Sequence, residues 1–281
     1  MKGIMQLKQY GFNTDHPTYV IAEIGINHGG DMGLAERLIE SAARTGVDAV
    51  KFQTYITEKR APKGHQAIFD ILKKCELPFE AFHALKDYAN SHGVQFFTTP
   101  FDHESIEYLQ SIDVDIYKVA SFDVVNLSLL RELAKTGKPI IMSVGMANRE
   151  EIDLAYKTLA EGTKNIALLH CVSSYPLEER YANLAAIYEL QESYDCVIGY
   201  SDHTPDIDVP LMAVGAGAQV IEKHFRIDED MDCVDAPVSI TEDQTKQLVE
   251  QIRRAEMIFG KGELGLSEPQ ESTSIFRRFS G

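Results

Sequence analysis

Cysteine is scarce in this chain, with four in 281 residues. Cys75, Cys171, Cys196 and Cys233 form no CxxC pair and none of the spacings of a disulfide framework, so all four read as free thiols of a reducing compartment. Cys171 and Cys196 fall in apolar, strand-like runs, where a reduced thiol serves as a small hydrophobe. No apolar run approaches the roughly 20 residues that span a bilayer. Met1 to Tyr10 lacks the basic start and apolar core of a signal peptide, so a cytoplasmic protein without a membrane partner is expected. Positive charge is also short: 27 Lys and Arg stand against 43 Asp and Glu, a formal net charge of -16. So acidic a surface argues against nucleic acid as a partner, and it means that an anionic substrate needs cations gathered locally. Neither GxGxxG nor GxxxxGK follows the first apolar run. Gly215-Ala216-Gly217, the nearest approach, reads as the end of a helix.

What the chain does contain is a regular alternation, uninterrupted by linkers or low-complexity stretches. Short β-branched or aromatic runs occur at Tyr19–Asn27, Ala49–Tyr55, Val94–Phe101, Ile116–Ser121, Pro139–Val144, Ile166–Val172, Cys196–Tyr200 and Val220–Phe225. Between them lie amphipathic helical patterns, among them Leu34–Thr45, Phe79–His92, Leu127–Lys135, Glu150–Leu159 and Leu184–Glu192, with Thr241–Phe259 as a long final helix. Eight strand–helix units in series predict an α/β fold with a parallel sheet, and right-handed crossovers close eight such units into a (β/α)8 TIM barrel. A single domain over residues 1–281 is expected; an open, doubly wound sheet is the alternative.

In such a barrel, chemistry belongs at the C-terminal ends of the strands. Nearly every predicted strand turns polar there: Glu23, Asn27 and His28; Lys51 and Gln53; Thr98, Thr99 and Asp102; Lys118 and Ser121; Ser173 and Tyr175; Ser201, Asp202 and His203; Glu222 and His224. A polar residue in a barrel strand is often a satisfied core group. Seven strands doing so together read as one site, because buried charges cost several kcal/mol each unless paired or liganded. Lys51 and Lys118 with the hydroxyls of Thr99, Ser121, Ser173 and Ser201 suit a phosphate plus a carboxylate. The alternative for each lysine is a buried ion pair with Glu23 or Glu222. His203 and His224 end adjacent strands, with Glu222 on the face of His224, and suit a divalent cation of the manganese, iron, cobalt or zinc type.

Seven strings carry a resemblance that spans the barrel in order. They are Ala22-Glu23-Ile24-Gly25-Ile26-Asn27-His28-Gly29-Gly30, Val50-Lys51-Phe52-Gln53, Phe97-Thr98-Thr99-Pro100-Phe101-Asp102, Tyr117-Lys118-Val119-Ala120-Ser121, Cys171-Val172-Ser173-Ser174-Tyr175-Pro176, Gly199-Tyr200-Ser201-Asp202-His203-Thr204 and Ile221-Glu222-Lys223-His224-Phe225. Together they resemble the sialic acid synthase (N-acetylneuraminate synthase) family. The resemblance implies condensation of phosphoenolpyruvate (PEP) with N-acetylmannosamine or a related amino sugar, giving a nonulosonic acid and phosphate. It also implies a divalent metal, manganese first with magnesium or cobalt as alternatives. By matched position, the PEP phosphate meets Lys118, Thr99, Ser121 and Ser173, its carboxylate meets Lys51 and Ser201, and the metal sits on His203 and His224. Glu23, Gln53, Tyr175, Glu222 and Asp235 fall near the reacting carbons or the acceptor. The family usually continues into an antifreeze-like domain that reaches a partner subunit's site. This sequence stops at Phe276-Arg277-Arg278-Phe279-Ser280-Gly281, so the barrel domain alone is expected, with a homodimer open.

The residues leave two other readings standing. Lys51 or Lys118 could serve as the nucleophile of a Schiff-base aldolase on the same fold. A silent, sugar-binding barrel is the third, opposed by the retention of so many costly buried charges. Either Glu23 or Glu222 suits the proton transfer.

Overall fold

The computed structural model describes residues 17–260, 262 and 264–278. Residues 1–16, where the signal-peptide expectation falls, and 279–281, the last of the terminal string, lie outside the described residues. Eight parallel strands close into a barrel in sequence order: β1 (Tyr19–Gly25), β2 (Ala49–Thr54), β3 (Gln95–Pro100), β4 (Tyr117–Val119), β5 (Ile140–Ser143), β6 (Ile166–Cys171), β7 (Val197–Asp202) and β8 (Val220–His224). Closure runs through β1 and β8, registered from Tyr19 opposite Val220 to Glu23 opposite His224. The open-sheet alternative is therefore excluded.

Around the barrel run α1 (Met32–Arg44), α2 (Thr57–Arg60), α3 (Gln66–Cys75), α4 (Phe79–Ser91), α5 (His103–Ser111), α6 (Leu127–Lys135), α7 (Arg149–Ala160), α8 (Ala186–Ser193), α9 (Asp208–Gly215) and α10 (Glu242–Phe259). Their starts are chemically marked. Asp31, Asp102, Asn126, Asn148 and Thr241 each accept a backbone N–H of the first turn, and Asn148 with Glu151 and Thr241 with Gln244 form capping boxes. Gly217, in the left-handed region just past α9, closes that helix as its sequence implied. None of the described helices is long and apolar enough to cross a membrane.

Strand alternation sorts side chains into two cores. Val20, Ala22, Ile24, Val50, Phe52, Phe96, Tyr117, Ile140, Met142, Leu168, Ile198 and Ile221 point outward and pack under the helices. The opposite parity fills the lower barrel with Tyr19, Ile21, Ala49, Phe97, Ile116, Ile141, Ala167, Leu169, Val197 and Val220. Two residues further along the strands, or four in β7 where Gly199 intervenes, that inward parity reaches Glu23, Lys51, Thr99, Lys118, Ser143, Cys171, Ser201 and Glu222. The barrel changes from apolar to ionic in one layer.

Parity also removes several polar strand-end residues from the expected cluster. Thr98 faces outward, its hydroxyl 2.8 Å from that of Thr54. Asp202 faces outward and pairs with Lys223 at 2.5 Å. Asp102 caps α5, accepting from Ser105 N, and also accepts from Ile56 N, both at 2.8 Å. Asn27 donates to Phe225 O and accepts from Asp235 N at 2.9 Å, tying the chain after β1 to the loop after β8. The four cysteines are free thiols.

Candidate active site

A cavity of about 510 Å³ opens at the C-terminal mouth of the barrel. On its wall are Glu23, Lys51, Gln53, Thr99, Lys118, Ser121, Tyr175, Ser201, His203, Glu222, His224 and Asp235, all expected from sequence; only Ser173 of that set does not line it. Arg60, Ser143 and Cys171, which sequence reasoning did not place in the site, line it as well. Such a volume suits two small polar substrates.

Its floor is ionic. Lys51 Nζ lies 2.7 Å from Glu23 Oε2 and 3.7 Å from Glu222 Oε2, and it donates to Thr99 Oγ1 at 3.2 Å. Lys118 Nζ lies 3.6 Å from Glu222 Oε1 and donates to Ser143 Oγ at 2.7 Å. Ser201 donates to Glu222 Oε1 at 2.8 Å, and Gln53 donates to Glu23 Oε1 at 3.1 Å. The ion pairs set against anion binding in the sequence are thus present in the protein. Thr99 belongs with Lys51 rather than with Lys118.

The two glutamates are not equivalent. Burial drives the Glu23 carboxyl above its ordinary value, Lys51 offsets this only in part, and Glu222 adds to it. Burial acts on Glu222 too, but Lys118, Lys51 and the Ser201 hydroxyl outweigh it and hold that carboxyl down to about 2. Glu222 is a fixed charge, while Glu23 is poised nearer to protonation. Among the lysines, burial lowers Lys118, whereas Glu222 and Glu23 overcome burial and raise Lys51.

Beside Lys118 the wall becomes a cradle of hydroxyls around Gly145. Its N–H donates to Ser121 Oγ at 3.0 Å. A methyl group at this position would stand 2.6 Å from Ser173 Oγ and 3.0 Å from both Ser121 Oγ and Cys171 O. Glycine leaves open the space between the hydroxyls of Ser121, which lines the cavity, and Ser173, which does not. On the opposite side, Gly25 ends β1 at a register shift with φ of 56°, and a methyl there would crowd Glu23, Asp235 and Gln53 at 3.1 to 3.3 Å.

The imidazoles of His203 and His224 stand with ring centroids 5.5 Å apart, and Tyr175 packs on His203 at 4.0 Å. His203 Nδ1 is 3.0 Å from Val172 O, so that nitrogen carries the proton and Nε2 keeps its lone pair. Burial, with His224 adding to it, lowers His203 to about 3, which leaves a neutral ring. His224 Nδ1 faces Asp235 Oδ2 at 3.4 Å. Burial opposes charging of His224, but Asp235 prevails and raises it; burial likewise raises Asp235, and His224 brings it below its usual value. Each ring has one nitrogen turned to a carbonyl or carboxylate, the arrangement that orients metal-ligating histidines. Among the described residues no three His, Cys, Asp or Glu side chains converge as a metal cluster. Two imidazoles so oriented are donors that would suit a divalent cation of the manganese, iron, cobalt or zinc type.

Residues 38–264 match the NeuB family. An uncharacterised protein of Methanocaldococcus jannaschii is 42% identical over 248 residues, covering 88% of this chain and 73% of that one. The N,N'-diacetyllegionaminic acid synthase of Campylobacter jejuni is 38% identical over 278 residues, covering 93% and 83%. Among solved structures, the N-acetylneuraminic (sialic) acid synthetase of Leptospira borgpetersenii superposes with a TM-score of 0.90 at 38% identity, covering 94% of this chain and 92% of that one.

Proposed function

This chain belongs to the NeuB family and is an enzyme of the synthase kind, and we propose that it condenses PEP with an N-acylated amino sugar to form a nonulosonic acid and inorganic phosphate. The observation that carries this reading is the layout of one cavity: the cations and hydroxyls of Lys51, Thr99, Lys118, Ser121 and Ser143, from β2 to just before β6, line it together with two imidazoles, His203 just after β7 and His224 on β8. PEP is an elongated anion with a charge at each end, and the wall offers two cationic ends. Lys118, Ser143, Ser121 and Ser173 receive the phosphate. Lys51, Thr99 and Ser201 receive the carboxylate. Both ends fixed, the enol carbon is oriented without a covalent link.

His203 and His224 would hold a divalent cation, manganese first and magnesium or cobalt as alternatives, which when bound would supply Lewis acidity to the acceptor's aldehyde. C3 of PEP attacks the aldehyde carbon, and C2, left electron-poor, takes up water. The resulting tetrahedral carbon bears hydroxyl and phosphate and collapses by C–O cleavage. Glu23 accepts the proton of the attacking water, because its carboxyl is the one poised to change state. Glu222 stays ionised and fixes both lysines. Tyr175 covers His203, and Gln53 and Asp235 border the acceptor's side. A cytoplasmic location and an N-acylated six-carbon acceptor belong to the same reading.

The Schiff-base alternative retains one favouring observation: burial lowers Lys118, as it does in nucleophilic lysines. One experiment separates the two. Phosphate release from PEP is measured with manganese across a panel of acceptor sugars, with and without chelator, beside borohydride trapping with a keto acid. Metal-dependent phosphate release without trapping supports the synthase. Chelator-insensitive turnover with a trapped lysine refutes it.

A further inference from the structure

Arg60, the last residue of α2, lines the cavity on its outer side. Its guanidinium carbon lies 4.3 Å from the ring centre of Tyr55 and 4.0 Å from that of Phe101. Two aromatic faces therefore fix the plane of the group. Its Nη1 is buried and finds no hydrogen-bond partner among the described residues. Leaving such a donor unmade is costly, and native proteins seldom do so without a use for it. The carboxylates of Asp235, Glu23 and Asp123 act on it only through space, and burial holds it below the ordinary arginine value.

The surroundings select the ligand chemistry. Ile26, Ile68, Phe101 and Phe122 line the same cavity, and Phe101, clustered with Ile26 and Tyr55, sets an apolar wall beside this rigid donor. A second phosphate would face three nearby carboxylates with one guanidinium to hold it. An acyl amide fits both features, since its carbonyl accepts from the guanidinium and its methyl packs on the apolar side chains. We propose that Arg60 is a specificity-determining residue that recognises the N-acyl carbonyl of the acceptor sugar, with Ile26, Ile68 and Phe101 enclosing the acyl methyl. This rests on the synthase reading for the identity of the acceptor, though not for the existence of the subsite.

The test measures binding apart from turnover. N-acetylmannosamine and mannose are titrated calorimetrically into the full chain, the Arg60→Met variant and the Arg60→Lys variant, and phosphate release from PEP is assayed in parallel. The wild type should prefer the N-acyl sugar. Arg60→Met should lower affinity for that sugar by about 10- to 100-fold, the effect of losing one hydrogen bond to a charged group, with a much smaller effect on mannose and on the Michaelis constant for PEP. Arg60→Lys keeps the charge but cannot stack as a plane, so it should lose most of the preference, and it decides the matter if Arg60→Met does not fold. A wild type without preference, or a preference intact in either variant, overturns the proposal. If selectivity vanishes with Arg60 while PEP yields no phosphate, the subsite stands and the synthase reading falls. If phosphate is released and selectivity ignores Arg60, the reverse holds.

Discussion

Lys51 holds two buried carboxylates, and its removal should be the most destabilising single change in the site. Methionine in its place keeps most of the side-chain volume but leaves Glu23 with Gln53 as its hydrogen-bond donor and strips Glu222 of one of two cations. Breaking a buried pair by deleting one partner costs roughly 3–5 kcal/mol, since the remaining charge is left uncompensated. Lys118→Met removes a long contact of 3.6 Å and the hydrogen bonds to Ser143 Oγ and Val119 O, while Glu222 retains Lys51 and Ser201. Its cost should be nearer to that of one charged hydrogen bond, about 1.5–3 kcal/mol. The double variant Lys51→Met, Glu23→Gln removes the stranded charge together with its partner and should regain most of the loss, giving a coupling energy of about 2 kcal/mol or more. Equilibrium urea unfolding of these three variants, the Glu23→Gln single variant and the wild type reads these differences directly. A Lys51→Met protein within about 1 kcal/mol of wild type, or a double variant no more stable than the single, would refute the account of the ionic floor.

Three further outcomes are expected. Gly145→Ala should lower affinity for inorganic phosphate and for PEP by more than about ten-fold in direct titrations, since the added methyl occupies the space between Ser121 and Ser173; unchanged phosphate affinity would move the phosphate elsewhere. His203→Ala with His224→Ala should abolish metal-dependent turnover with circular dichroism unchanged, because both rings sit above the packed layers, and full activity in the double variant would exclude the metal assignment. Glu23 must be ionised to accept a proton, and its folded value lies above the ordinary 4.5, so activity should rise with pH through that raised value and fall below it. Glu23→Gln should remove this acidic limb from the kcat/KM profile, and a limb that persists belongs to another group.

How much of this was legible in the sequence can be traced to parity and distance. The eight strands were readable because each is a short β-branched or aromatic run, buried on both faces as in a parallel barrel, and the predicted ends mostly overran by one or two residues where the run continues past the last ladder bond. β7 instead runs beyond Tyr200 to Asp202. Glu23, Lys51, Lys118, Ser201 and Glu222 share the parity of the lower apolar layer, and the same rule, applied to β5, finds Ser143 two residues past Ile141. Thr98 and Asp202 have the opposite parity, and being polar at a strand end did not bring them inside. Asp102, expected in the cluster, instead caps α5, a role its place one residue before that helix explains. Arg60 had no such signal. Its place depends on the chain after β2 folding back so that Tyr55 and Phe101, 46 positions apart in sequence, hold its guanidinium between them. The split between the two glutamates is likewise invisible in sequence, because it arises from which lysine each one meets.

The most direct measurement follows the bridging oxygen of PEP. If C3 attacks first and C2 is hydrated, the tetrahedral intermediate breaks its C–O bond, and Lys118 with Ser121, Ser143 and Ser173 steadies the departing phosphate. PEP labelled with heavy oxygen at the bridge is turned over with an N-acylated acceptor, and both products are analysed by mass spectrometry before the ketone exchanges with water. The account predicts label in inorganic phosphate and none in the sugar acid. Label retained in the sugar acid would mean attack at phosphorus and P–O cleavage, and would contradict it.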